Sequence, residues 1–171
     1  MAKNILITGP PGCGKSTLIE RILSRIDRPC TGFFTREIRE GGKRVGFAIL
    51  TLKGEEGILA RVGHPSPVRV GKYGVHLEDL ERLAVPAMIP SRPDEIVVVD
   101  EIGKMESRSS VFRRTLEEIL DSPHRLLGSI AWKGEKWIEE IKRRSDVRLI
   151  GLSEKNRDAC RDEILRILQQ G

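Results

Sequence analysis

The sequence predicts an α/β fold in which a mainly parallel sheet is covered on both faces by helices, and three observations carry that expectation. Apolar, β-branched runs alternate with stretches of helical periodicity along most of the chain. The first run, Ile5-Leu6-Ile7, leads through Gly9-Pro10-Pro11-Gly12-Cys13-Gly14-Lys15-Ser16 into an amphipathic stretch. A later run, Asp94-Glu95-Ile96-Val97-Val98-Val99-Asp100, is uninterrupted, as expected of a strand buried on both faces. A G-x-x-x-x-G-K-S segment between a strand and a helix, followed downstream by an apolar strand ending in Asp, predicts a P-loop NTPase three-layer sandwich. A length of 171 residues fits one such domain over residues 1–171, and no linker, repeat or low-complexity tract divides it.

The elements follow in order. Apolar residues at 18, 19, 22, 23 and 26 fall on one helical face, and Asp27-Arg28-Pro29 ends that helix. Strands are expected over 32–39 and 44–52, joined by Glu40-Gly41-Gly42-Lys43 as an early antiparallel hairpin, with a short third strand over 57–62. Residues 63–76, rich in Gly and Pro, read as a loop, and a helix is expected over 77–84. After the buried run come a helix over 109–121, a strand over 126–131, a helix over 135–144, a strand over 147–151 and a last helix over 154–169, with Ser153 as its N-cap. The hairpin is an antiparallel departure that either extends the sheet edge or folds over the site.

Composition narrows the functional classes. Lys and Arg number 30 against 25 Asp and Glu, a net charge of +5. That balance suits a phosphate ligand. No long basic run or aromatic-interleaved basic patch is present, so dedicated nucleic-acid binding is not expected. Cys13, Cys30 and Cys160 are too far apart for a disulfide framework or a C-x-x-C metal site, which fits a reduced, cytoplasmic setting. His64, His76 and His124 are isolated, which argues against structural zinc. The first strand is expected to start by residue 4, so no signal peptide is expected, and no apolar run approaches a membrane span. The oligomeric state is open, with a monomer the preferred reading.

The glycine segment specifies chemistry. Glycines let backbone N–H groups wrap phosphate oxygens, and the helix that follows adds its unpaired N–H groups and positive dipole end. Gly9, Pro10, Pro11, Gly12, Cys13, Gly14, Lys15, Ser16 and Thr17 are thus the nucleotide-binding segment. Lys15 is expected to reach the β- and γ-phosphates of a nucleoside triphosphate, and the Ser16 hydroxyl to bind Mg²⁺. Asp100 completes the metal site, directly or through a coordinated water. Glu101, just beyond it, is placed to polarise a water for in-line attack on the γ-phosphorus. Spread-out negative charge in phosphoryl transfer calls for a further cation, for which Lys133 and Arg157 are the candidates and Arg113 a weaker one. No N-K-x-D guanine-reading element occurs. Trp132 could stack on a base, while Trp137, at helical spacing from Ile138 and Ile141, reads as packing.

The chain resembles the small P-loop nucleoside triphosphatases of the thermophile type, the family that includes cancer-related nucleoside triphosphatase. The resemblance covers essentially the whole length. It rests on Gly9 to Ser16, on Gly32-Phe33-Phe34-Thr35-Arg36-Glu37-Ile38-Arg39 with Gly41-Gly42 and Gly46-Phe47, and on Arg69-Val70-Gly71-Lys72-Tyr73-Gly74-Val75. It continues through Asp100-Glu101-Ile102-Gly103-Lys104-Met105-Glu106, Lys133-Gly134 and Asn156-Arg157. It implies slow, Mg²⁺-requiring hydrolysis of ATP, GTP, CTP and UTP to the diphosphate and phosphate. Glu37, Lys72 and Tyr73 receive no role from their chemistry, and Glu106 is expected to pair with Lys104 or to cap the following helix. Two other functions fit the same motifs. One is a small-molecule or nucleotide kinase, with Arg36, Arg39, Lys43 and Arg44 as lid cations. The other is a nucleotide-binding adaptor of cofactor biosynthesis.

Overall fold

Alternation of apolar side chains buries β1 (Asn4–Thr8) on both faces: Ile5 and Ile7 pack on one face and Leu6 on the other, all fully buried. The structure, a computed structural model, describes residues 2–170. Eight more strands follow: β2 (Cys30–Glu40), β3 (Lys43–Thr51), β4 (Glu56–Val62), β5 (Arg69–Val70), β6 (Tyr73–Val75), β7 (Ile96–Ile102), β8 (Arg125–Ile130) and β9 (Val147–Gly151). All join one sheet in the order β5-β6-β4-β3-β2-β7-β8-β1-β9. From β2 through β7, β8 and β1 to β9 every pairing is parallel. From β2 outward through β3, β4, β6 and β5 every pairing is antiparallel. The hairpin thus extends the sheet edge, and the antiparallel departure is larger than a hairpin.

Helices cover both faces of the parallel half. On one face, α1 (Lys15–Leu23) and α6 (Arg157–Gln169) bury Ile19, Ile22, Ile164 and Leu168 against Ile5, Ile7, Ile96 and Val98. On the other, α4 (Ser110–Asp121) and α5 (Lys136–Lys142) bury Phe112, Leu116, Trp137 and Ile138 against Leu6, Val97 and Val99. Phe33 meets Phe112 edge-on, with ring centroids 6.3 Å apart. Trp137 is packing, as expected, and its indole N–H donates to Glu117 at 2.6 Å.

The expected hairpin turn is present: Gly41 and Gly42 have φ of 57° and 79°, the left-handed pair a two-residue turn between antiparallel strands needs. Three boundaries differ from expectation. The loop expected over 63–76 contains β5 and β6, held by pairing of β6 with β4 and of β5 with β6 and not by any periodicity of their own. The helix expected over 77–84 continues through α2 (Leu77–Asp79), a π-helical turn (Leu80–Ala84) and α3 (Val85–Ala87). The last helix starts at Arg157, so Ser153 is not its N-cap. Its backbone N–H instead donates to Asn156 Oδ1 at 2.7 Å while Asn156 Nδ2 donates to Gly151 O at 2.8 Å, a closed turn ahead of the helix.

Candidate active site

The site lies at the carboxyl edge of the parallel half, where β1, β7 and β8 end. β1 runs into the turn at residues 9–14, closed by a hydrogen bond from Cys13 N to Pro10 O at 3.2 Å, with the Cys13 side chain buried beneath it. Gly14 turns the chain into α1 at φ 96°, a left-handed conformation that disfavours any side chain. No side chain caps α1 and its first turn holds no acidic residue. Its leading N–H groups and dipole therefore face a positive, uncompensated opening. Lys15 Nζ donates to Gly9 O at 2.9 Å and lies 3.8 Å from Glu101 Oε2.

β8 separates β1 from β7, so the two strands that carry the motif halves are not neighbours. Their side chains meet across it. Asp100, 2% exposed, accepts a hydrogen bond from Ser16 at 2.5 Å on one oxygen and from Ser129, on β8, at 2.5 Å on the other. Burial pushes the Asp100 carboxyl up, while the two hydroxyls and the charges of Arg36 and Lys15 hold it down. Ser129 belongs to the strand end expected at this edge, but nothing in its spacing assigned it a role.

Glu101 is half-buried beside Lys15. Burial raises its carboxyl and Asp100 adds to that, against the opposing charge of Lys15. Glu106 differs from expectation. It is 3% exposed, and among the described residues it makes no ion pair with Lys104. The cap of α4 is Ser109, whose hydroxyl accepts from Phe112 N at 3.0 Å and donates to Glu81 at 2.8 Å. Burial, then the nearby Glu101 and Asp100, push the Glu106 carboxyl well above the ordinary carboxylate range. A β-carbon on Gly103 would lie 3.0 Å from an oxygen of each of Glu101 and Glu106, so the two carboxyl groups face a gap that only glycine leaves open.

These groups line one end of a cavity of about 720 Å³, together with Gly9, Pro11 and Gly12. A separate cavity of about 250 Å³ opens on the other side of Gly12, between α1 and α6, and is lined by Gly14, Thr17, Arg21, Arg157 and Arg161. Among the described residues no group of three or more His, Cys, Asp or Glu forms a protein-only metal cage. The Ser16 hydroxyl and Asp100 carboxylate are hard oxygen donors side by side, a set that fits an ion bound mainly through substrate phosphates and water.

The nucleoside-triphosphatase family model, described as NTPase, matches residues 4–165. The chain belongs to this NTPase family. It is 49% identical over 166 residues to nucleoside-triphosphatase THEP1 of Thermotoga maritima, covering 96% of this chain and 95% of that protein. The crystal structure of THEP1 from Aquifex aeolicus superposes with a TM-score of 0.87 at 34% identity, over 98% of this chain and 99% of that one. The solution structure of a human cancer-related nucleoside triphosphatase does so with 0.83 at 37%, over 99% of each chain. The P-loop NTPase fold expected from the motifs is thereby shared with solved members of the family.

Within this NTPase the candidate cations separate. Lys133 and Trp132 line the large cavity with Asp100 and Glu101. Arg157 lines the small one, and its Nε and Nη2 donate to Cys13 O at 3.2 and 3.0 Å, tying α6 to the glycine turn. Arg113 stacks over Trp137 at 5.3 Å, away from both cavities' linings. The hairpin cations also divide: Arg36 pairs with Glu20 of α1, Arg39 and Arg44 share Glu37, and only Arg44 reaches the large cavity. Glu37 and Tyr73, which had no assigned role, are the partners that hold Arg44. No local sequence signal could have found that trio, since it comes together only through strand pairing.

Proposed function

We propose that the chain hydrolyses nucleoside triphosphates to the diphosphate and phosphate, with Mg²⁺ and with little discrimination among ATP, GTP, CTP and UTP. One observation carries the reading: Ser16 and Ser129 clamp the Asp100 carboxylate at the mouth of an uncapped helix N-terminus, with Lys15 and Glu101 alongside. On this reading the N–H groups of the glycine turn and the first turn of α1, with Thr17, grip the phosphate tail. Ser16 and Asp100 would hold the ion, which would supply positive charge to the phosphate tail. Lys15 leaves Gly9 O for the bridging region between those phosphates. Glu101 orients a water in line with the γ-phosphorus and takes its proton as the new P–O bond forms and the bond to the β-phosphate oxygen breaks. The diphosphate carries the charge away, facing Lys15. Lys133, on the same cavity, is the further cation, and Arg157 positions the glycine turn. The absence of a base-reading motif supports broad base tolerance. One sheet carrying both halves of the site supports a single domain. Three free cysteines support a reduced, cytoplasmic setting, and among the described residues no helix is long and apolar enough to cross a membrane.

Protein given ATP and Mg²⁺ with no other substrate should release phosphate, and chelation of the metal should stop it. Glu101→Gln should lower kcat by about 10²–10⁴-fold while nucleotide affinity, measured by calorimetry, stays close to that of the unsubstituted protein. Release that requires an added organic acceptor would make the chain a kinase. Unchanged turnover in Glu101→Gln would remove the water-activating role.

A further inference from the structure

The hydrolytic groups occupy one end of the large cavity. Its volume, about 720 Å³, is on the scale of a whole organic ligand, whereas hydrolysis needs room for a γ-phosphate, an ion and a water. The far wall comes from the antiparallel half of the sheet. Phe47, Leu59 and Val70 make it aromatic and aliphatic, and Met105 joins them from the catalytic side.

One charge is built into that wall. Arg44 donates from Nε to Tyr73 Oη at 3.0 Å and from Nη1 to Glu37 at 3.2 Å. Its guanidinium lies 5.2 Å from the Phe47 ring, and Phe47 meets Tyr73 edge-on at 5.5 Å. Among the described residues Nη2 has no partner. Glu37 is shared with Arg39 at 2.8 Å, so two guanidinium groups face one carboxylate and the cluster keeps a positive charge. Lys104 lines the same cavity. A fixed guanidinium beside an aromatic face is the arrangement that selects a flat ring bearing an anionic group.

We infer that the outer part of this cavity binds a second organic molecule, an aromatic anion whose ring lies on Phe47 and whose charge meets Arg44, alongside a nucleotide seated on the glycine turn. The inference rests on the triphosphate lying across that turn, as in the hydrolytic reading. It makes the antiparallel half of the sheet a binding wall and leaves the phosphate chemistry to the parallel half.

The probe is 8-anilinonaphthalene-1-sulfonate, a fluorescent aromatic anion, titrated onto protein saturated with Mg²⁺ and a non-hydrolysable ATP analogue. One equivalent of dye should bind with the analogue in place. Arg44→Gln and Phe47→Leu should each weaken it about tenfold or more. Arg44 is exposed and Phe47→Leu keeps an apolar filler, so circular dichroism should show both variants folded, and either variant alone decides the point. Displacement of the dye by the analogue, absence of dye binding, or wild-type dye affinity in the variants would each overturn the inference. Failure of the nucleotide reading registers separately, as no heat from the analogue before dye is added, and dye titrated onto protein alone still reports on Arg44 and Phe47.

Discussion

The parallel and antiparallel halves of the sheet meet at β2 and both line one cavity. In the parallel half, strand ends converge: β1, β7 and β8 bring the glycine turn, Asp100 and Ser129 together within hydrogen-bond distance. In the antiparallel half, side chains from the strands form a wall: Glu37 from β2, Arg44 and Phe47 from β3, Leu59 from β4 and Val70 from β5. Gripping a phosphate takes backbone amides at a strand-to-helix turn, which only the parallel arrangement supplies. Shaping an organic pocket takes alternating side chains on a sheet face, which the antiparallel arrangement supplies. The difference separates transferring a phosphoryl group from accommodating what lies beyond it.

The largest expected effect tests the phosphate side. Lys15→Ala should reduce turnover about a thousandfold or more, since it removes the cation nearest the charge that develops in transfer. Turnover within tenfold of the unsubstituted protein would break the division, because the parallel half would then not house the chemistry. A smaller effect is expected at Ser129. It touches no substrate in the proposed arrangement and acts through Asp100, so it is a positioning residue. Ser129→Ala removes one of two hydrogen bonds to a buried carboxylate, a loss of about 1.5–3 kcal/mol where charged groups are involved. The readout is the Mg²⁺ concentration giving half-maximal rate, which should rise by about tenfold, with Ser129→Thr restoring most of it. A fall in kcat with no shift in Mg²⁺ requirement would place Ser129 elsewhere in the mechanism.

The same division governs what the sequence made legible. Gly9 to Ser16 announces the phosphate turn because the glycine spacing and the flanking strand and helix are local. The Val97–Val99 run ending at Asp100 announces the metal edge because a strand buried on both faces must be continuously apolar. Ser129 was legible as a position and not as a partner, since its hydrogen bond to Asp100 depends on β8 inserting between β1 and β7. Glu106 was misread because its sequence neighbours, Lys104 and the start of α4, offered ordinary surface roles. Its burial follows from the turn at Gly103 folding it back beneath Glu101. β5 and β6 were hidden in a Gly- and Pro-rich stretch: strands of two and three residues carry no periodicity and exist only by pairing, β6 with β4 and β5 with β6. Arg157 was legible as a candidate cation, but its contact with Cys13 O was not, because donor and acceptor lie far apart in the chain and meet only when α6 packs beside the glycine turn.

The smallest expected effect compares the two halves through one aspartate in each. Asp146, just before β9, is held below the ordinary carboxylate range first by its hydrogen bonds to Arg144, at 2.9 and 2.8 Å, against the opposing cost of burial. Asp79, beneath the antiparallel half, is raised by burial but brought lower overall by the N–H of Ile58, at 2.8 Å, and by Arg82. A carboxyl depressed in the folded state stabilises fully above its unfolded value of about 3.9, and that contribution is lost as pH falls through the folded value. Urea midpoints should therefore fall on acidification below about pH 4. Asp146→Asn should flatten that acid limb and cost about 1 kcal/mol at neutral pH. Asp79→Asn should flatten it too, but cost less at neutral pH, because the amide oxygen still accepts from Ile58. A limb unchanged in both variants would mean that neither half is fastened by these carboxylates. A limb flattened by Asp146→Asn alone would mean that the parallel half sets the acid stability of the whole sheet.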